Sequence, residues 1–523
     1  MNRPCRLLTL LCLLHHALPS PAQAQVSPSD KIFTSTLTFS PAEEALYLDR
    51  FKLALSRSTA EALYQPLELI DGDHRWAPLP AARPQARTIS PQVLREATAY
   101  AAHNNSSAFI VWRNGKIEAE TYFDRRARTS LLNSFSLAKP LTAIAVGRAI
   151  MLGKIKSLDQ PVSDFISEWR HDPQRAGIQV RHLLDMRAGL LRQAVAAEPS
   201  DVMARSFLHP RSDEILIKEY PVVDRPGSRY EYNNAAGDMV AILIERATGR
   251  RYAEFLGTEI LQKIGALGGD VWINRERGVA HAGCCMKLPA ETFLRLAILT
   301  LRDGVWDGQR LLPVSYVAQM RRGTPQNPYY GLAMYVAGRY TERRGPANPE
   351  LPLPKTWHSE PYLAADLYLF DGNMNQVVYV IPSQNLVILR TGGAPPTASG
   401  KAGEWDNALL PNLIMRGIVR DRRRSLPQPR WHAFFTFPKK LFFQTLGQRL
   451  GFLFGEDHTH TIGIKNSVYV SGSARVFVGQ HGRNRHHAGG IEPRLERHQI
   501  VRQQQYRNGT GWRGIRTRFR RWR

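Results

Sequence analysis

Asn133-Ser-Phe-Ser-Leu-Ala-Lys139, followed by an Ala-, Leu- and Ile-rich run to Met151, is the stretch that decides the reading of this chain. Ser136 and Lys139 stand three positions apart at the start of a helical segment, so they share one face, a turn apart. At that spacing a neutral lysine amine takes the proton of the hydroxyl and turns a poor nucleophile into a usable one. The run predicts a helix over 139–151 closed by Gly153, and Pro140 costs little because its missing N–H falls in the first turn. A second segment, Tyr232-Asn-Asn234, brings a phenol able to relay a proton to a leaving group. A lone Ser-x-x-Lys tetrad is expected about once by chance in a chain of this length, so the flanking context must carry the argument.

Working outward, residues 108–123 read as two strands joined by Asn114-Gly115, a strong hairpin signal. Asn233-Asn234 cap a helix over 235–248 that Gly249 stops. Gln376 to Ile381 and Leu386 to Arg390, joined by Pro-Ser-Gln-Asn, read as a second hairpin. Residues 155–225 are helical and loop-like, punctuated by Pro161, Pro173, Pro210 and Pro221. One further helix is expected from Ala42 to Leu63. The pattern is an α/β (α+β) chain: an antiparallel sheet flanked by helices, with an inserted helical lobe.

Taken in order, the motifs resemble the serine β-lactamase and penicillin-recognising superfamily, in its class C, esterase and 6-aminohexanoate-dimer hydrolase branch. The matching stretches are Asn133 to Lys139, Gly153 to Asp159, Val180 to Leu190, Pro226 to Asn234, Gly283-Cys-Cys-Met-Lys-Leu288 and Gln376 to Arg390. The resemblance spans roughly residues 80–420. It implies Ser136 as nucleophile, Lys139 as its base, Tyr232 as proton shuttle and Asn234 as a substrate or lysine contact, with no metal or organic cofactor. The implied substrates are small esters, amides or peptides.

The chain departs from the family at its third motif. Relatives carry Lys-Thr-Gly or His-x-Gly on the strand lining the site. Here the nearest candidate is Asp371-Gly-Asn-Met-Asn-Gln376, which resembles the Gly-x-x-Gly-Gln of the aminohexanoate-dimer hydrolase branch, with Asn375 in place of the second glycine. Asparagine enters the left-handed region more readily than most residues. Gly372, Asn373 and Gln376 are the expected substrate-side residues, and the oxyanion hole calls for two backbone donors, one from Ser136 and one near Gly372. Without a cationic triplet, an ester or linear amide is favoured over a β-lactam or a D-Ala-D-Ala peptide. A non-catalytic binding member of the same fold is the reading from a different class.

Composition divides the chain unevenly. Residues 421–523 hold 21 Lys and Arg against 5 Asp and Glu, which accounts for +16 of the whole-chain charge of +25. This basic stretch is expected to be a disordered tail able to touch anionic surfaces, with an amphipathic segment at 431–455. No motif for specific nucleic-acid recognition stands in the first 420 residues. Residues 1–24 read as an export signal: Arg3 and Arg6, an apolar run Leu7 to Leu14, and a small-residue site at Ala22-Gln-Ala24. Export places the protein in the periplasm or outside the cell. Residues 25–79 form a polar lead-in. Removal of the signal leaves Cys284 and Cys285, expected as buried thiols in a strand after Gly283 rather than as a bridge.

Overall fold

The structure, a computed structural model, describes residues 33–56, 63–192, 198–345, 349, 356–396, 404–419, 468–470 and 476–478. The chain separates into two units, Met1–Leu426 and Pro427–Arg523. In the second, Val468–Val470 pairs antiparallel with Val476–Val478. The export segment 1–24 and the amphipathic stretch 431–455 lie outside the described residues.

The first unit begins with α1 (Pro41–Leu55). Ser40 caps it: its hydroxyl accepts from the Glu43 N–H while the Glu43 carboxylate accepts from the Ser40 N–H. β1 (Leu67–Ile70) follows, then α2 (Pro91–His103) and the hairpin β2 (Ser106–Arg113) and β3 (Lys116–Tyr122). The hairpin turn has φ 50° at Asn114 and 88° at Gly115, the positive values that a two-residue turn of matching twist requires. A short β4 (Leu132–Asn133) leads into α3 (Ala138–Met151). The helical lobe follows, with turns of helix at Val180–Leu184, Val202–Leu208 and Ser212–Lys218. It ends in α4 (Asn234–Thr248), where the Asn233 side chain accepts from the Ala236 N–H and Gly249 closes the helix at φ 70°. After it come β5 (Gly269–Trp272), β6 (Met286–Leu288), α5 (Ala290–Leu301), β7 (Tyr335–Val336), β8 (Tyr368–Gly372), β9 (Gln376–Ile381), β10 (Leu386–Gly392) and α6 (Leu409–Arg416).

Six strands form an antiparallel sheet in the order β3-β2-β10-β9-β8-β7. Its central strands are buried on both faces, so they read as continuous apolar runs with no polar alternation. On β9 every residue is buried. Val378 and Val380 enter one core with α3 and α5, while Val377, Tyr379 and Ile381 enter a second core with α2 and α6. Fully burying such side chains contributes about 1.5–3 kcal/mol each. β7 pairs with β8 only at Tyr368 and Leu369. Among the described residues no strand covers the outer edge of Phe370 to Gly372.

A second, four-stranded sheet runs β1-β5-β6-β4. It revises the expected boundary at residue 80, because β1 pairs with β5 from Leu67↔Trp272 to Ile70↔Gly269. α1 also packs into the unit: the buried Arg50 guanidinium donates to the carbonyls of Leu208, Asn274 and Gln65. The described residues of the lead-in are therefore part of the folded body. Its sequence signal is weak because α1 buries only Tyr47, Arg50 and Phe51.

The paired cysteines depart from expectation as well. Cys284 and Cys285 are joined by a disulfide. The reason is local: the N–H groups of Cys284 and Cys285 both turn back to the His281 carbonyl, and the strand starts only at Met286. In a strand the two side chains would point to opposite faces; in this turn both sulfurs reach one side.

Candidate active site

Ser136 lies in a single 3₁₀ turn, Phe135–Leu137, wedged between β4 and α3. Both flanks are held. β4 pairs with β6 through Asn133↔Lys287, and the ladder continues as Ser134 N–H donates to the Met286 carbonyl at 2.8 Å. The Ser134 hydroxyl donates to the Cys284 carbonyl at 2.6 Å and accepts from Met286 N–H at 3.1 Å. Phe135 takes φ 45°, an uncommon value for a bulky residue and one that aims the next side chain out of the turn. The serine is thus not the cap of a longer helix but the tip of a constrained turn.

Lys139 is buried one turn into the helix, and its ammonium has three partners. Nζ lies 3.1 Å from Ser136 Oγ, donates to Asn234 Oδ1, and donates to the Gly283 carbonyl at 2.7 Å. Burial pushes its pKa down to about 7, with the charge of Asp238 pulling the other way. An amine near neutrality exchanges a proton with a hydroxyl at little cost. Tyr232 presents its ring to the same amine, 4.7 Å from Nζ to the centroid, and packs edge-on against Tyr330. Burial raises the Tyr232 phenol well above its ordinary value, an effect its hydrogen bond with Ser136 opposes. The phenol therefore stays protonated at neutral pH and serves as a donor.

The third motif approaches from β8. Gly372 packs directly on the serine turn: a Cβ there would sit 2.9 Å from Leu137 N and 3.1 Å from both Ser136 N and Ser134 O. Only glycine lets the strand edge come this close. Asn375 has φ 58° and Met374 φ 61°, so the turn uses the left-handed region where the family motif has glycine. Asn373 is mostly buried beside Gly372; its Oδ1 accepts from Met374 N–H, and its Nδ2 has no hydrogen-bond partner among the described residues. Gln376 is placed differently from expectation. Its amide donates to the Gly392 carbonyl and accepts from Gly392 N–H at 2.9 Å, so both polar atoms tie β9 to β10. It begins β9, where every residue is buried, and both its polar atoms already have partners on β10.

The structure thus brings Ser136, Lys139, Tyr232, Asn234 and Gly372 into one site, with Asn373 alongside. Three contributors carried no sequence signal of their own role. Ser134 anchors the turn, Gly283 offers a carbonyl to the lysine, and Asp371, half-buried on β8, has its carboxyl raised to about 7 by burial. Gly283 falls within a stretch that matches the family, yet nothing in its type marks a carbonyl as an acceptor.

The Beta-lactamase family profile matches residues 93–410, more than half of the chain. Among curated proteins, the chain is 26% identical over 227 residues to the 6-aminohexanoate-dimer hydrolase of Paenarthrobacter ureafaciens, covering 42% of this chain and 57% of that protein. It is 28% identical over 147 residues to penicillin-binding protein 4* of Bacillus subtilis (strain 168), covering 26% of this chain and 29% of the relative. The alignments thus span well under two thirds of either relative. Among solved structures, a Bacillus anthracis protein described as a candidate 6-aminohexanoate-dimer hydrolase superposes with a TM-score of 0.51 at 18% identity, over 73% of this chain and 94% of its own. With the antiparallel sheet, the helical lobe and the Ser-x-x-Lys turn between them, this chain belongs to the Beta-lactamase family of serine hydrolases.

Proposed function

We propose that the protein hydrolyses a small ester or linear amide through an acyl-enzyme on Ser136. One observation carries this reading: a buried amine with a pKa of about 7 lies 3.1 Å from the serine hydroxyl. Neutral Lys139 takes the Oγ proton as Oγ attacks the substrate carbonyl carbon. The resulting oxyanion is met by backbone N–H groups, that of Ser136 and one from the β8 edge near Gly372. As the carbonyl re-forms, the bond to the leaving group breaks, and Tyr232 hands that group a proton which Lys139 replaces. Water then attacks the acyl carbon and gives up a proton to the same pair, the bond from that carbon to Ser136 Oγ breaks, Oγ takes the proton back, and the acid leaves.

The preference for ester or linear amide rests on β8. Where relatives offer a cation, this strand presents Phe370-Asp371-Gly372, and an acid next to the serine turn is a poor receiver for the carboxylate of a β-lactam. The testing panel pairs short-chain nitrophenyl esters and linear amide dimers with a chromogenic cephalosporin and D-Ala-D-Ala peptides, alongside fluorophosphonate labelling. Turnover of esters or amides with labelling at Ser136 is expected. Faster turnover of the cephalosporin or the peptide replaces the substrate class, and absence of labelling replaces the enzyme with a binding protein. Export through residues 1–24 belongs to the same reading, and fractionation of expressing cells checks it.

A further inference from the structure

The partners of Lys139 divide between two elements. Asn234 stands in the first turn of α4, and Gly283 lies in the 281–286 turn packed against that helix. Their backbones touch: a Cβ on Gly237 would fall 2.6 Å from the Gly283 Cα. One turn beyond Asn234, the buried Asp238 uses both carboxylate oxygens on the same loop. Oδ1 accepts from the Gly283 N–H at 2.9 Å, and Oδ2 lies 3.0 Å from Nδ1 of His281. The His281 ring is also buried, stacked on Trp272 at 4.0 Å and met edge-on by Phe207 at 5.3 Å.

We infer that Asp238 and His281 are positioning residues for Lys139, holding the Gly283 carbonyl on its amine and setting the Asp238 carboxylate behind it. The inference rests on the acyl-enzyme reading above. A carboxylate buried this deeply is costly unless hydrogen bonds satisfy it, and here both oxygens go to the loop that serves the lysine. α4 thereby grips the base twice, through Asn234 directly and through Asp238 by way of Gly283. Asp238 acts on the amine through charge as well, favouring its protonated form against the burial that opposes it. The other titratable group facing the amine is the Tyr232 phenol ahead of α4, with Asp371 on β8 acting through Tyr232, while the His281 ring faces Asp238.

The decisive variant is Asp238→Asn, which keeps an oxygen for the Gly283 N–H and deletes the charge. Its acid limb of kcat/KM is expected at lower pH than that of the wild type, because Lys139 loses the anion that helps hold its proton. The midpoint of that limb does not depend on how much of the sample is active. A limb that stays in place overturns the inference, even when the rate falls. If Asp238→Asn does not fold, the comparison moves to His281. His281→Gln, whose amide still donates to Asp238, is expected to keep kcat near wild type, and His281→Leu to lose kcat at unchanged KM. Equal kcat in the two overturns the role of the pair. Wild-type protein that neither labels at Ser136 nor shows an acid limb overturns the hydrolase reading and this inference with it, whereas a normal wild type with an unmoved variant limb overturns this inference alone.

Discussion

Lys139 concentrates the chemistry at the scale of single residues. A lysine with no room for water loses its preference for the charged form, and the nearby anion restores only part of it. With the neutral amine as the proposed base, kcat/KM should fall as pH drops through about 7 and level off above it. A pH–rate profile in nonreactive buffers checks this, and a profile flat from mildly acidic to alkaline pH contradicts Lys139 as base. Ser136→Ala should remove turnover and fluorophosphonate labelling together while circular dichroism stays unchanged. Tyr232→Phe keeps the ring on Lys139 and removes one oxygen, so about 10²- to 10⁴-fold should be lost from kcat with KM little changed. An unaltered kcat would leave Tyr232 as a wall of the site.

At the scale of elements, the site exists where the edge of β8 meets the serine turn. Gly372→Val is expected to push that turn off Lys139, since the added carbon meets Ser136 and Leu137 backbone atoms that have nowhere to go. Overpacking of this kind costs about 1–3 kcal/mol, readable as a lowered Tm, with activity lost in the protein that still folds. Gln376 offers the contrasting case. Its amide ties β9 to β10 at Gly392, so Gln376→Ala should lower stability by about 1–3 kcal/mol through the Gly392 groups left unpaired. KM of the folded enzyme should not change; a raised KM at unchanged Tm would restore the expectation of a substrate contact.

At the scale of the molecule, the hydrolase unit reaches further toward the amino terminus than its family motifs do. Arg50 ties three carbonyls from separate segments, and β1 forms one edge of the four-stranded sheet whose other edge, β4, leads into Ser136. Deleting residues 25–79 should therefore give insoluble or unfolded protein, with the Leu208 and Asn274 carbonyls and the β5 edge left unpaired. Ending the chain at residue 420 should do the opposite. That shorter protein is expected to fold, label at Ser136 and turn over small esters at near full-length rates. Sedimentation with anionic vesicles should show weaker binding, and the lost part should be salt-sensitive, since screening acts over about 8 Å at physiological ionic strength. Loss of turnover on truncation would show that the basic stretch packs onto the hydrolase.

What could be read in the residues was whatever depends on near neighbours along the chain. The Asn114-Gly115 and 382–385 hairpin turns, the Asn233 cap, the Gly249 stop and the Ser136–Lys139 spacing are set by backbone geometry over a few positions, so their residue types announce them. Helix α1 illustrates the limit: a helix in this stretch is legible from local pattern, yet its place in the body depends on a few buried residues whose partners lie far away. The use of Gln376 as a strand clamp and the carbonyl of Gly283 were beyond such reading, because each depends on partners far along the chain, and the Cys284–Cys285 disulfide was missed because a local turn at His281 stands where a strand was expected. The serine and its lysine were thus legible as a pair three residues apart. The pKa of the lysine was not, since burial lowers it and Asp238, brought there by the packing of α4 against a loop 45 residues further on, pulls it back up.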